Sequence, residues 1–184
     1  MDYTKYEFKN KPTINEMLAY NNLFICGPTG AGKSTLLHQI IVDFLALEGY
    51  DNFVLYVHDP SIVEFSRRKE YASLNFINAR NELDFIQFLG NEINKRKSMT
   101  HIEILNQKTL VIMSDNISYT KLGAFLLSVY KELKDIKILT ILAAQQKVFY
   151  EDNKSVFNQG TVFLLQSTSE QKHHAIEIIR WWFL

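Results

Sequence analysis

The sequence predicts an α/β fold in which helices flank a mainly parallel central sheet. Short apolar runs rich in β-branched and aromatic residues alternate with longer segments of helical period, which is typical of strands and helices that follow one another in such a sheet. Several runs are apolar at consecutive positions, as expected for strands that are covered on both faces. The predicted strands are residues 23–26, 53–57, 74–77, 110–113, 138–143 and 162–165.

Amphipathic helices are predicted between these strands, at residues 33–47 and 81–97. A third helix carries one apolar stripe, made of Leu122, Phe125, Leu126, Val129 and Leu133. After the last strand, Ser167-Thr168-Ser169-Glu170 has the pattern of a capping box and predicts a final helix. The apolar tail Trp181-Trp182-Phe183-Leu184 is interpreted as a last turn packed on the sheet, with a docking surface as the alternative.

Size and composition favour one compact domain, because 184 residues with 47% hydrophobic side chains are enough to bury a core. We assign residues 1–21 to an N-terminal arm that ends in a short helix at 14–20, and residues 22–184 to the main domain. The 20 basic and 20 acidic residues balance, which excludes a global basic field. No leader peptide and no apolar stretch of about 20 residues is found, so we expect a soluble intracellular protein and not an integral membrane protein.

A glycine-rich segment follows the first predicted strand, Gly27-Pro28-Thr29-Gly30-Ala31-Gly32-Lys33-Ser34-Thr35. A polyphosphate needs many N–H donors around a small volume, and glycines let the backbone wrap it without side-chain collision. The helix that follows directs its positive N-terminal end at the same point. The segment is a complete Walker A loop and predicts binding of ATP phosphates with Mg²⁺, in which Lys33 reaches the β- and γ-phosphates and the Ser34 hydroxyl ligates the metal.

A carboxylate at the end of an apolar strand beside the Walker A strand is the second metal element that we expect. Leu110-Val111-Ile112-Met113-Ser114-Asp115 supplies it, and Asp115 is predicted to hold Mg²⁺ through water, as a Walker B aspartate does. The alternative is that Asp115 only caps a loop.

Two amides are further candidates for catalysis. Asn116 stands where a water-splitting ATPase usually has a second carboxylate; asparagine can hold a water but cannot accept its proton. The strand at 138–143 leads into Gln145 and Gln146, and an amide there can sense the γ-phosphate or orient the water. Gln145 is the first choice for this role and Gln146 the second. The alternative is that the glutamine is a solvated loop residue.

These motifs together resemble those of the FtsK/HerA superfamily, and within it the compact ATPases that package double-stranded DNA viral genomes. The resemblance covers residues 22–179 and rests on GPTGAGKST, LVIMSDN, ILTILAAQQ and the closing NQGTVFLLQSTSEQKHHAIEII. It implies a RecA-like P-loop NTPase sheet, ATP hydrolysis, and a homo-oligomeric ring, a pentamer or hexamer, that moves double-stranded DNA. It also implies a capsid or membrane-vertex partner and, for a viral protein, a place in the host cytoplasm or virion.

Two features depart from that family pattern. Asn116 replaces the aspartate or glutamate next to the Walker B aspartate, which puts the catalytic base in doubt. The helix before the glutamine strand offers lysine in place of the arginine that ring ATPases insert into a neighbouring subunit. Lys131 is therefore a candidate for the residue that reaches into the neighbouring subunit. The alternative is that Lys131 is a solvated surface lysine.

Other functions remain open on the sequence alone. DNA contacts would have to come from the basic clusters Arg67-Arg68-Lys69 and Lys95-Arg96-Lys97, each of which can equally be a solvated surface. A secretion or pilus-assembly ATPase is an alternative, since His58-Asp59-Pro60 at a strand end is similar to that class. A nucleotide-gated assembly module with little turnover is another, supported by Asn116 and the apolar tail.

Overall fold

The structure, a computed structural model, describes residues 7–9, 11, 13–20, 22–59, 65, 71–72, 74–78, 80–115, 117, 120–145, 161–167 and 175–181. In chain order its elements are β1 (Glu7–Lys9), α1 (Ile14–Tyr20), β2 (Asn22–Gly27), α2 (Lys33–Leu45), a 3-10 turn (Tyr50–Asn52), β3 (Phe53–His58), β4 (Asn75–Ile77), α3 (Glu82–Lys97), α4 (His101–Leu105), β5 (Thr109–Ser114), α5 (Lys121–Leu133), a second 3-10 turn (Lys134–Ile136), β6 (Ile138–Gln145), β7 (Thr161–Ser167) and β8 (Ala175–Trp181).

The described strands form one sheet in the order β1-β8-β7-β2-β6-β5-β3-β4. All neighbouring pairs are parallel except β7 with β8. The predicted α/β class with a mainly parallel sheet is therefore confirmed. One predicted adjacency is wrong, because β6 pairs with both β2 and β5 and so separates the strand of Asp115 from the Walker A strand.

Helices cover both faces of the sheet and create two hydrophobic clusters. Alternate residues of β2 enter opposite clusters: Leu23 and Ile25 pack with α1 and α2, whereas Phe24 and Cys26 pack with α3 and α5. This explains why the central strands are apolar at consecutive positions. Cys26 is buried, and burial raises the pKa of its thiol to about 12, so it remains a protonated core residue.

All six strands predicted from the sequence are confirmed, with boundaries that shift by up to two residues. The helix in the arm, α1, also has its predicted position, and α2 and α3 match their predictions except for the terminal residues. Two short elements were not predicted, β1 within the arm and α4 after α3.

The final helix predicted from the sequence is wrong. Ala175–Trp181 is instead strand β8, paired antiparallel with β7 and parallel with β1. Ile176 and Ile179 have the spacing of a helix face, but this short segment holds three isoleucines, whose branched side chains favour strands once a pairing partner exists. Of the predicted cap residues 167–170, Ser167 is the last residue of β7, and of the predicted tail 181–184, Trp181 is the last residue of β8. The remaining residues, 168–170 and 182–184, lie outside the described residues.

Candidate functional site

The glycine-rich loop connects the end of β2, at Gly27, to the start of α2, at Lys33. Gly30 and Gly32 have φ angles of 82° and 86°, a region that L side chains rarely adopt. A Cβ atom on Gly27 would lie 3.1 Å from the Ala31 Cβ and 3.2 Å from the Leu165 Cβ, so the loop packs closely against β7. The glycines are therefore required by backbone conformation and by space.

The N-terminus of α2 points its amides into this loop. Its first N–H groups have no partner inside the helix. The N-cap residue is Gly32, and no side chain caps the helix there. Uncapped amides at the positive end of a helix suit an anion such as a phosphate.

Lys33 lies across the same loop. Its Nζ donates hydrogen bonds to the carbonyl oxygens of Gly27 at 3.0 Å and Pro28 at 2.8 Å. Burial lowers the pKa of Lys33, and attraction from Asp115 opposes that lowering. An entering phosphate would offer this ammonium a charged acceptor, which makes stronger hydrogen bonds than neutral carbonyls do.

Ser34 and Asp115 are brought together although they are far apart in the chain. The Ser34 Oγ donates a hydrogen bond to Asp115 Oδ2 at 2.5 Å. Mg²⁺ takes oxygen ligands and usually keeps several waters and substrate phosphates beside one or two protein oxygens. The donor set therefore fits the magnesium ion expected from the sequence.

Asp115 is fixed from the side of β3. Its backbone N–H donates to the His58 carbonyl at 3.3 Å, and the Ser114 Oγ lies 2.7 Å from His58 Nδ1. Burial lowers the pKa of His58, while the charges of Glu82 and Asp59 oppose this. The contact of His58 with the segment of Asp115 was not predicted from the sequence; the available signal was a histidine at the end of an apolar strand next to the strand of Asp115.

Gln145 is the last residue of β6 and pairs in register with Gly27. Its backbone therefore lies beside the first residue of the loop, which is where the sequence analysis expected it. The described residues give no position for its side chain. Asn116 and Gln146 lie outside the described residues.

The basic residues proposed for DNA contact have different environments. Arg96 is 2% exposed and donates to three backbone carbonyls, so its assignment to a DNA-binding cluster is wrong. Its neighbour Lys97 pairs with Glu132 at 2.5 Å. Lys131 is exposed on α5, and the cluster 67–69 lies outside the described residues.

A mainly parallel sheet between two helical layers, with a glycine-rich loop joining β2 to α2, defines a RecA-like P-loop ATPase fold. Residues 4–100, which make up more than half of the chain, match the FtsK/SpoIIIE family. The chain belongs to the FtsK/SpoIIIE family and is an ATPase domain of that type.

Solved structures share this fold at low sequence identity. ATPases 2 and 3 of EssC from Geobacillus thermodenitrificans match with a TM-score of 0.62 and 16% identity, covering 78% of this chain and 31% of that chain. The cytoplasmic domain of the type VII secretion ATPase EccC from Thermomonospora curvata matches with a TM-score of 0.63 and 14% identity, covering 80% and 19%. The pCW3 conjugation coupling protein TcpA, in its monomer form with ATPγS, matches with a TM-score of 0.57 and 16% identity, covering 81% and 49%.

The chain thus spans less than half of each of these three proteins. No curated protein sequence matches it. Within the described part of the chain, none of the helices has the length and apolar character that crossing a bilayer requires.

Proposed function

We propose that this chain hydrolyses ATP with Mg²⁺ and uses the energy to move double-stranded DNA as a homo-oligomeric ring of the genome-packaging type. The hydrogen bond between Ser34 and Asp115 carries the nucleotide part of this proposal, because it joins the predicted metal ligands of the Walker A and Walker B segments. Lys33 and the amides of α2 supply the phosphate contacts.

Each site residue has a role in this proposal. Residues 27–35 bind the phosphates, Ser34 and Asp115 hold Mg²⁺, and Gln145 or Asn116 orients the attacking water. Lys131, which is exposed on α5, is the proposed finger that reaches a neighbouring subunit. Charge stabilisation and positioning supply most of the catalysis of phosphoryl transfer, so hydrolysis without a carboxylate at position 116 is slow and still measurable.

A secretion-type assembly ATPase is the second candidate. It is favoured by the similarity to EssC and to the type VII secretion ATPase EccC. A nucleotide-gated assembly module with little turnover is the third, favoured by asparagine at position 116. All three share the nucleotide site and differ in what nucleotide binding drives.

Thermal unfolding tests the shared nucleotide site. ATP with Mg²⁺ at about 100 times its Kd should stabilise the wild-type protein by roughly 2.7 kcal/mol. The Lys33→Ala protein should lose most of that stabilisation, because the ammonium that meets the phosphates is gone. Lys95→Ala, at a side chain that is 60% exposed, is the matched control and should keep it. Equal increases in Tm for wild type and Lys33→Ala would contradict the assignment.

A further inference from the structure

A buried chain of polar groups lies next to the nucleotide site and has no direct role in it. The Ser114 Oγ is 2.7 Å from His58 Nδ1, and His58 Nε2 is 3.7 Å from Glu82 Oε1. The same Glu82 oxygen accepts a hydrogen bond from the backbone N–H of Leu122 at 2.7 Å. Ser114 and His58 are 0% exposed and Glu82 is 9% exposed.

The arrangement selects one tautomer of a neutral His58. With its proton on Nε2, the ring presents an N–H to the Glu82 carboxylate, and its Nδ1 accepts the hydroxyl proton of Ser114. The opposite tautomer would place a lone pair against the carboxylate. In the described part of the chain, Nε2 has no hydrogen-bond partner, so Glu82 acts on it through charge.

These polar groups contact both ends of the β5–α5 connection: Ser114 lies at its start, and Leu122 lies at its end. Ser114 immediately precedes Asp115, whose own N–H donates to the His58 carbonyl. Leu122 belongs to the first turn of α5. Between them, Ile117 donates its N–H to the Ala143 carbonyl of β6 at 3.0 Å. The described residues of this connection are therefore attached at Ser114 and Asp115, at Ile117 and at Leu122.

Burying three polar side chains among apolar residues costs free energy unless each has a partner. Each partner also fixes the position of the side chain that it contacts. Neither His58 nor Glu82 reaches the glycine-rich loop in any contact of the described residues. Apart from the His58 carbonyl, which accepts the Asp115 N–H, their effect on the site must pass through Ser114 and Leu122.

We propose that His58 and Glu82 are positioning residues for the magnesium site. They hold both ends of the β5–α5 connection against β3 and α3, which keeps the Asp115 carboxylate opposite Ser34. This inference rests on the proposed function, since it requires that Ser34 and Asp115 hold Mg²⁺.

The test uses the concentration of Mg²⁺ that gives half of the ATP-dependent increase in Tm. Removing a partner that orients a metal ligand typically lowers metal affinity by about 10- to 100-fold. Ser114→Ala and Glu82→Ala should each raise the half-saturating Mg²⁺ concentration by about 10-fold, and neither should change the Tm shift that ATP gives without Mg²⁺. The double variant should resemble the larger single effect, because the two residues act through one chain of contacts.

Two further variants separate positioning from folding. Glu82→Gln keeps an oxygen for the Leu122 N–H and should lie between wild type and Glu82→Ala, and it serves where Glu82→Ala does not fold. Tyr130→Phe is the matched control: it removes a buried hydroxyl from α5 that has no hydrogen-bond partner among the described residues, and should leave the Mg²⁺ dependence unchanged.

The inference would be overturned if the half-saturating Mg²⁺ concentration stayed within twofold of wild type in Ser114→Ala and in the Glu82 variants. It would also be overturned if the fold-increase in the double variant equalled the product of the two single fold-increases. In both cases the wild type still responds to Mg²⁺ and ATP, so the proposed function stands. A wild type without Mg²⁺-dependent stabilisation by ATP would overturn the proposed function, and this inference with it.

Discussion

Arg96 illustrates how far the role of one residue depends on burial. Its guanidinium donates to the carbonyls of Ile136 at 2.9 Å, Lys137 at 3.1 Å and Lys108 at 3.0 Å, and pairs with Glu92 at 2.8 Å. The planar guanidinium of arginine can donate to several acceptors at once in a fixed geometry, whereas the ammonium of lysine lacks this geometry. A residue that looks like part of a basic surface cluster is thus the link between α3 and the segments that enter β5 and β6.

Replacing Arg96 with alanine should lower the free energy of unfolding by about 3 kcal/mol, because buried acceptors and the Glu92 carboxylate lose their donor. Arg96→Lys should give an intermediate loss, since it keeps the charge but not the planar guanidinium. Urea denaturation measures both. The control Lys95→Ala should stay within about 0.5 kcal/mol of wild type, and a loss of similar size at both positions would contradict this role for Arg96.

Asn116 decides between a working motor and a slow nucleotide switch. If Asp115 positions Mg²⁺ and an amide holds the water, wild type should hydrolyse ATP slowly and Asn116→Glu should accelerate it. A positioned general base contributes roughly 10²- to 10⁴-fold, so even a poorly placed carboxylate is measurable in a phosphate-release assay.

In the same assay, Asp115→Ala should lose Mg²⁺-dependent activity. A wild type that is as fast as ordinary ring ATPases, together with a slower Asn116→Glu, would mean that the base lies elsewhere. Glu64 or a residue of a partner would then be the next candidates.

Most elements were predictable from their own apolar pattern, including the short helix α1 and the three-residue strand β4, whereas β1 and α4 were not. The six predicted strands and helices α2 and α3 each carry enough apolar residues to specify their own packing. The strand β1 has three residues and depends on β8 for its pairing. The helix α4 was readable in principle, because Thr100 and Glu103 form a reciprocal capping box, and the hydrogen bonds from Thr100 lower the pKa of Glu103.

The first turn of α5 leaves no room for a side chain at Gly123. A Cβ atom on Gly123 would collide with the Ile117 carbonyl oxygen and would lie 2.8 Å from the Thr120 Oγ1. Thr120 also caps this helix by accepting the Gly123 N–H at 2.9 Å. The close approach of Ile117 and Thr120 to α5 therefore requires that position 123 has no side chain.

Gly123→Ala should therefore destabilise the protein by about 1–3 kcal/mol, as overpacking does, and should weaken the Mg²⁺-dependent Tm shift by ATP. The intrinsic preference of a helix for alanine acts in the opposite direction, by about 1 kcal/mol. Gly90→Ala in α3 is the matched control, because the nearest atom to its Cβ would be Phe125 Cζ at 3.9 Å. It should be neutral or stabilising, and the same sign at both positions would contradict the argument.

For the whole molecule, the sequence predicted the components of the site better than their arrangement. The glycine-rich loop at 27–35 was recognisable because its glycines and Lys33 form one continuous segment. The order of the strands depends on long-range pairing, so the position of β6 between β2 and β5 could not be read from local pattern. The contact between Ser34 and Asp115 and the position of His58 beside Asp115 depend on that order, so they required the structure.

DNA separates the proposed motor from the secretion alternative. Double-stranded DNA should increase ATP hydrolysis if the chain is a translocase, and the mass in solution with ATP should be that of a pentamer or hexamer. Replacing Arg67, Arg68 and Lys69 together should weaken DNA binding for all sequences and lower the salt slope by about one for each lost contact. Hydrolysis that is unaffected by DNA, or a monomer under all conditions, would favour the alternatives.

The pairing of β1 with β8 has a consequence for how the chain folds. Glu7 pairs with Ala175, so the first described strand finds its sheet partner nearly the whole length of the chain away. At a synthesis rate of about 5–20 residues per second, residues 7–9 emerge on the order of ten seconds before that partner exists. A long-range pairing costs loop-closure entropy before its contacts can stabilise it, so such pairings form slowly. The pairs β3–β4 and β3–β5 join segments that lie closer together in the chain, whereas β2 must wait for β6 and β1 must wait for β8. We therefore expect the pairing of β1 with β8 to form last.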